Sequence, residues 1–170
     1  IGLGAVHARI EDRIVALAER FGLPVLLTPM AKGMVAEDHP NYAGVLFHAP
    51  SDMVGKTHAE ADLVVAVGYD PIEFNYESWM KDGLALASID VVPADIDRDM
   101  HPVVAEVVGA IAPALDALIA LPAGPKAWDL VALAERKAAM FAKLVGRDGP
   151  FGPCAALDVL RDVLPDEGIM

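Results

Sequence analysis

The chain has 170 residues, 55% of them hydrophobic, with 13 Lys and Arg against 25 Asp and Glu for a formal net charge of -12 and a mean hydropathy of +0.41. That length builds one core of ordinary size and part of a second unit, and the acidic balance excludes non-specific nucleic-acid binding because no basic cluster is present to neutralise phosphates. The greasiest stretch, "VVAEVVGAIAPALDALIALPAG", is interrupted by Glu106, Pro113 and Asp116 within the length a bilayer demands, so no membrane span is expected and the apolar surplus should be covered by protein.

In chain order, "IGLGA" reads as the tail of a strand turning through Gly2 and Gly4 into a helix. The periodicity predicts that helix over residues 5–21, with Val6, Ile10, Ile14, Leu17 and Ala18 on one face and Arg9, Glu11, Asp12 and Arg13 largely on the other. Gly22 stops it. "PVLLT" (24–28) is a short apolar run of the kind found in a sheet covered on both faces. "PMAKGMVAEDHPNYAG" then predicts a long loop. Residues 51–61 predict a helix capped by Ser51 or Asp52, followed by the strand "DLVVAVG".

Next comes "YDPIEF", which spells a helix start: Asp70 as N-cap, Pro71 in the first helical position and Glu73 in the third, completing a capping box, with Ile72, Tyr76 and Trp79 or Met80 sharing a face. "LALASID" (84–90) predicts a third covered strand, and a turn then leads to a helix from Gly109 to Leu121. Strand and helix alternate, which predicts right-handed βαβ units: an α/β fold with a doubly wound parallel sheet, Rossmann-like.

From Pro122 the character changes. "PAGP" is a linker, and 126–147 predict a helix with Trp128, Val131, Ala134, Ala138, Phe141 and Val145 on one stripe. "DGPFGP" breaks it, and 154–164 predict an amphipathic helix with Ala155, Leu157, Val159, Leu160 and Leu164 as its apolar side, expected to be mobile or to borrow a neighbour's surface because no strand follows. Cys154 is the single cysteine, so no internal disulfide is available and a reducing cytoplasm fits. The first residue is Ile1, and "LPDEGIM" reads like a strand beginning, so a piece of a longer polypeptide is expected.

No catalytic constellation emerges. Carboxylates at the helix start after Gly68 would occupy the place a pyrophosphate needs, so no dinucleotide is expected there. Gly2-x-Gly4 is half a dinucleotide fingerprint, with His7 where the third glycine belongs and Thr28 closing the next strand in place of an acidic residue. Lys32-Gly33 lacks the spacing and the Ser or Thr of a P-loop. Positions where a vestigial nucleotide site would fall are therefore Gly2, Gly4, Lys32, Gly33, Gly68 and Asp90, and no catalytic or metal-binding residue is expected. His7, His39, His48, His58 and His101 form no HxxxH or HExxH pair. Ser51 and Ser88 lack a GxSxG setting. Asp90 with Asp95 or Asp97 could pair as acid and base, although carboxylates after a strand more commonly form turns.

These pieces resemble the central domain of thiamine-diphosphate enzymes of the acetolactate synthase type. The resemblance rests on the GxGA turn, on Pro24, Thr28, Lys32 and Gly33, on His39, Pro40 and Gly44, and on "EADLVVAVG" (60–68). "GYDPIEF" (68–74) with Trp79 is similar to a motif of the catabolic, flavin-independent synthases, although Phe74 stands where those have tyrosine; "SIDVVPADIDR" (88–98) and "EVVGAIAPAL" (106–115) resemble the stretch those synthases carry after that motif. Tyr69-Asp70-Pro71 replaces the RFDD segment of flavin-containing relatives, so FAD is not expected.

The resemblance implies a division into 1–122 as central domain, 123–150 as linker with connecting helix, and 151–170 as the start of a cofactor-binding domain. It implies thiamine diphosphate and Mg2+ held by other domains of a parent that decarboxylates pyruvate and joins the product to a second pyruvate. Implied partners are the flanking domains and further copies of the subunit, a dimer or tetramer. Two other readings stay open: a related 2-oxo acid decarboxylase or acyltransferase, and a free-standing FAD- or NAD-binding module.

Overall fold

The computed structural model describes residues 1–46, 52–72, 80–126, 128–145, 152–165 and 167–168. In order come α1 (Leu3–Ala8), α2 (Glu11–Phe21), β1 (Val25–Leu27), a 3-10 turn (Pro29–Ala31), β2 (Tyr42–Val45), α3 (Asp52–Ala59), β3 (Leu63–Val67), β4 (Ala85–Asp90), β5 (Val103–Val108), α4 (Ile111–Ile119), α5 (Leu130–Val145) and α6 (Pro153–Val163). Among the described residues β1 pairs with β2, β3 with β4 and β4 with β5, all in parallel. The strands make two sheets, one of order β1-β2 and one of order β3-β4-β5.

Alternation along each strand sends side chains to two opposite covers. On one face Val25, Leu27, Val67 and Ile89 pack with Ile10, Ile14, Leu17 and Ala18 of the α2 region and with Ile111 and Leu115 of α4. On the other, Ala66 and Leu86 pack with Met80, Leu84 and Ile96, and Leu26 packs with Leu46 and Val54 of α3. Helices on both faces of parallel strands make this the expected doubly wound, Rossmann-like α/β fold.

The helix expected over 5–21 is divided. Arg9 takes a left-handed conformation, φ 52, and donates its N–H to Val6 O, closing α1, while α2 starts at Glu11. Ile10, Ile14, Leu17 and Ala18 are buried as expected, and Gly22 ends α2 at φ 65. An arginine at positive φ is costly, so no local signal announces the break. Tertiary bonds hold it, since Gly2 and Gly4 tie the start of α1 to the end of β3.

Two strands appear where none is expected. β2 begins within the last three residues of the predicted long loop; its four residues are all buried, and Gly44 at φ 115 disguises it as turn sequence. The side chain of Asn41, just before it, donates to Ala18 O at 3.2 Å and Leu23 O at 2.8 Å, satisfying carbonyls at the end of α2. β5 lies in the greasy stretch and forms one edge of the three-stranded sheet, with Val104, Val107 and Val108 exposed.

α5 is where expected, but its buried side is different. Val131 is 70% exposed and Phe141 40%, whereas Leu133 is 3% exposed and Met140 packs on the core. Two cations set this rotation: Arg136 pairs with Glu60 at the end of α3, and Lys137 Nζ donates to Glu37 O at 3.1 Å and His39 O at 2.9 Å. α6 has no buried residue. The Ser51 or Asp52 cap, His48, and Glu73, Tyr76 and Trp79 of the expected capped helix lie outside what is described, for Asp52 the side chain alone.

Candidate functional site

Ligands of open α/β sheets gather at the carboxyl ends of the strands, and four of the six candidate positions meet there. Gly2 donates its N–H to Val67 O at 3.0 Å, Gly4 to Gly68 O at 2.9 Å and Gly68 to Ile89 O at 2.9 Å, so the turn into α1 is laced to β3 and onward to β4. Gly109, at φ 156 after β5, donates to Asp90 O at 2.8 Å. The Asp90 side chain is buried and its Oδ1 accepts the N–H of Val91 at 2.6 Å.

The glycines allow backbones to touch. A Cβ on Gly4 would stand 2.8 Å from Gly68 Cα, and one on Gly68, at φ +57, would stand 2.2 Å from the nitrogen of Ala5. The amides a dinucleotide fingerprint would offer to a phosphate are therefore bonded to strand carbonyls. Lys32 and Gly33 stand apart from this row: Lys32 Nζ pairs with Glu37 Oε1 at 3.1 Å on its own loop, and Gly33 turns at φ +99 with open space where a side chain would be.

Asp70 Oδ1 accepts the N–H of Ile72 at 2.8 Å, the contact an N-cap carboxylate makes two residues on. Asp97 Oδ1 accepts from Asp99 N at 2.9 Å and Met100 N at 3.3 Å, and Asp95 is exposed; the carboxylates of Asp90 and Asp97 are each engaged by their own turn.

The histidines are scattered. His39 Nδ1 accepts the N–H of Asn41 at 3.1 Å, so a neutral ring carries its proton on Nε2, which faces Glu19 Oε1 at 3.3 Å. His58 is buried, and burial first, then the charge of Lys81, lowers its pKa below the ordinary 6.5. Lys81 Nζ is placed by the carbonyls of Ala59 at 3.3 Å and Ala61 at 2.9 Å, at the end of α3. His101 is fully enclosed, and His7 is exposed. Asn41 and Gly109 are structural contributors that the sequence pattern does not single out, because each flanks a strand it does not show.

Parallel strands doubly covered, with a glycine turn laced to their carboxyl ends, define a Rossmann-like domain. The chain belongs to the thiamine pyrophosphate enzymes: the family described as "Thiamine pyrophosphate enzyme, central domain" matches residues 1–118.

The chain is 26% identical over 169 residues to the probable acetolactate synthase large subunit of Methanocaldococcus jannaschii, covering 96% of this chain and 28% of that protein. It is 35% identical over 83 residues to the catabolic acetolactate synthase of Raoultella terrigena, 46% of this chain and 15% of that protein. To 2-hydroxyacyl-CoA lyase 1 of Mus musculus it is 30% identical over 105 residues, 60% of this chain and 17% of that protein. The chain thus spans less than a third of the length of these relatives.

A diphosphate cofactor with a divalent ion needs free amide or hydroxyl donors and several oxygen ligands. Among the described residues no three His, Cys, Asp or Glu side chains converge on one point, and the Gly2 and Gly4 amides are bonded to carbonyls. The described residues do not build that site.

Proposed function

We propose that this chain is the supporting central domain of an acetolactate synthase-like enzyme that uses thiamine diphosphate and Mg2+, and that it carries no catalytic residue of its own. The observation that carries the supporting role is the closed row of Gly2, Gly4 and Gly68, whose amides serve the fold. The choice of reaction draws on the likeness to acetolactate synthases, one of which aligns along 96% of this chain. In that parent, pyruvate loses carbon dioxide and the remaining two-carbon unit joins a second pyruvate. The cofactor supplies the electron sink; this domain holds the outer domains at fixed separation and contributes contacts between subunits of a cytoplasmic homo-oligomer.

The test is a pair of assays with pyruvate, thiamine diphosphate and Mg2+. The full-length parent is expected to form acetolactate and the 170 residues alone to be inactive. A parent that releases acetaldehyde, or that ignores pyruvate, points instead to the related decarboxylases or acyl-CoA enzymes, a reading favoured by the 30% identity to a 2-hydroxyacyl-CoA lyase. We further propose that no flavin binds at the sealed strand ends; a yellow purified parent whose flavin is lost on Asp70→Ala overturns that.

A further inference from the structure

β5 is the outer strand of its sheet and, among the described residues, pairs with β4 alone. Gly109 N–H bonds Asp90 O at 2.8 Å, so by the alternation of a parallel ladder Ala105 and Val107 also turn their backbone groups to β4, and Glu106 and Val108 turn theirs to the open edge. Each of those two residues offers an N–H and a C=O to whatever lies alongside.

Little in the strand guards this edge. Free edges are usually blunted by Lys, Pro, an inward-pointing charge or a bulge. β5 reads VVAEVV, and its one irregularity falls between the pairings of Leu86 and Ala87, which leaves Ala105 to Val108 in regular register. Its single charge, Glu106, is engaged within the chain, since Oε1 accepts from Ala94 N at 2.9 Å and from Arg98 Nη2 at 2.8 Å. Val107 and Val108 are about half exposed.

The two faces of the edge differ in charge. Glu106 projects toward the connection from β4 to β5, where Asp95 adjoins Ala94 and where Asp97 and Asp99 flank Arg98. All three aspartates are exposed, and the one guanidinium among them is paired with Glu106. Val108 shares that acidic face. Ala105 and Val107 lie on the opposite face, where Val107 neighbours Ile89.

We propose that the β5 edge is a docking site for an extended segment of another protein, added as a further strand, in which basic residues alternate with apolar ones. The outward backbone groups of Glu106 and Val108 supply the ladder. Alternation then sets one row of the guest's side chains beside Val108 and the carboxylates of residues 95–99, where Lys or Arg fits. The other row lies beside Ala105 and Val107, where an apolar side chain fits. A second copy of this chain is the poorer occupant. Antiparallel pairing of β5 with itself about a two-fold axis keeps the same face up in both copies, so the two acidic connections would adjoin in a chain of net charge -12.

The test follows residue-resolved hydrogen exchange in the 170-residue chain with and without a capped peptide that alternates lysine and valine over about the length of β5, with sedimentation recording the oligomeric state. At saturation the amides of Glu106 and Val108 are expected to slow at least about tenfold, while that of Gly109, already bonded to Asp90 O, is unchanged. Binding should weaken as salt rises, and by at least about threefold when Asp95→Asn and Asp99→Asn are combined. The control is the same peptide with glutamate in place of lysine. No slowing, or equal slowing by the glutamate peptide, overturns the proposal. So does slowing without any peptide: if it grows with protein concentration the occupant is a second copy, and if it is present from the outset in the full-length parent the occupant is a flanking domain. The readout is backbone pairing and no turnover is measured, so it stands or falls apart from the reaction proposed above.

Discussion

Gly68 combines two constraints, a φ of +57 and the Ala5 nitrogen 2.2 Å from where a Cβ would lie. Gly68→Ala is therefore expected to lower stability in urea by at least about 2 kcal/mol, since strain of this kind costs about 1–3 kcal/mol before any steric overlap. Gly33→Ala, also at positive φ but in open space, should cost about 1 kcal/mol; equal losses at the two sites would show that close approach to α1 is not what Gly68 serves. Asn41→Ala removes the side-chain bonds to the Ala18 and Leu23 carbonyls, the former still held by backbone N–H groups, and is expected to cost about 1–3 kcal/mol in the same measurement.

His58 gives a pH dependence. Its folded pKa lies below the unfolded 6.5, so between those two values the unfolded chain binds a proton that the fold does not. Its contribution to stability is complete above pH 6.5 and is lost as the pH falls through that window. His58→Gln should narrow the difference between urea midpoints measured at about pH 7.5 and about pH 5. An unchanged difference would count against a buried neutral ring.

At the scale of elements, α5 shows how a correct helix can carry a wrong face. Both Val131 and Leu133 belong to plausible apolar stripes of the same periodic sequence, and choosing between them depends on where the cations anchor. Arg136 and Lys137 bind Glu60 and the carbonyls of Glu37 and His39, more than seventy positions earlier in the chain, and this turns Leu133 inward. Leu133→Ala is expected to cost about 2–4 kcal/mol in urea unfolding and Val131→Ala less than about 0.5 kcal/mol; the reverse ranking would restore the stripe through Val131 and Phe141.

The strands divide in the same way. β1, β3 and β4 are continuous apolar runs bounded by Gly, Pro or charge, and are legible. β2 and β5 exist because a partner strand already lies beside them, and neither four residues around Gly44 nor a run interrupted by Glu106 announces that. The hydrogen bonds of Glu106 Oε1 with Ala94 N and Arg98 Nη2 hold its pKa below the ordinary carboxylate value, the Ala94 bond first.

For the whole molecule, apolar surface is the recurring theme. The open faces of β5 and α6, with Val104, Val108, Leu157 and Val163 exposed, agree with a chain whose relatives are several times longer. In a dilute sample the α6 amides of Leu157 and Leu160 are expected to exchange through openings far smaller in free energy than global unfolding, while the amide of Leu86, bonded to Pro102 O within the sheet, exchanges through much larger ones. Protection of α6 equal to that of Leu86 would mean that it has found a cover.

The sequence by itself determined the fold class, three strands, the principal helices and the family, because these depend on short-range periodicity and on contiguous motifs. Only the tertiary structure decided that Gly2 and Gly4 bond to the end of β3, that Lys32 stays with Glu37, which face α5 buries, and that β5 forms one edge of its sheet. Each of those depends on which distant backbone groups are brought within hydrogen-bonding reach, and no local pattern encodes that.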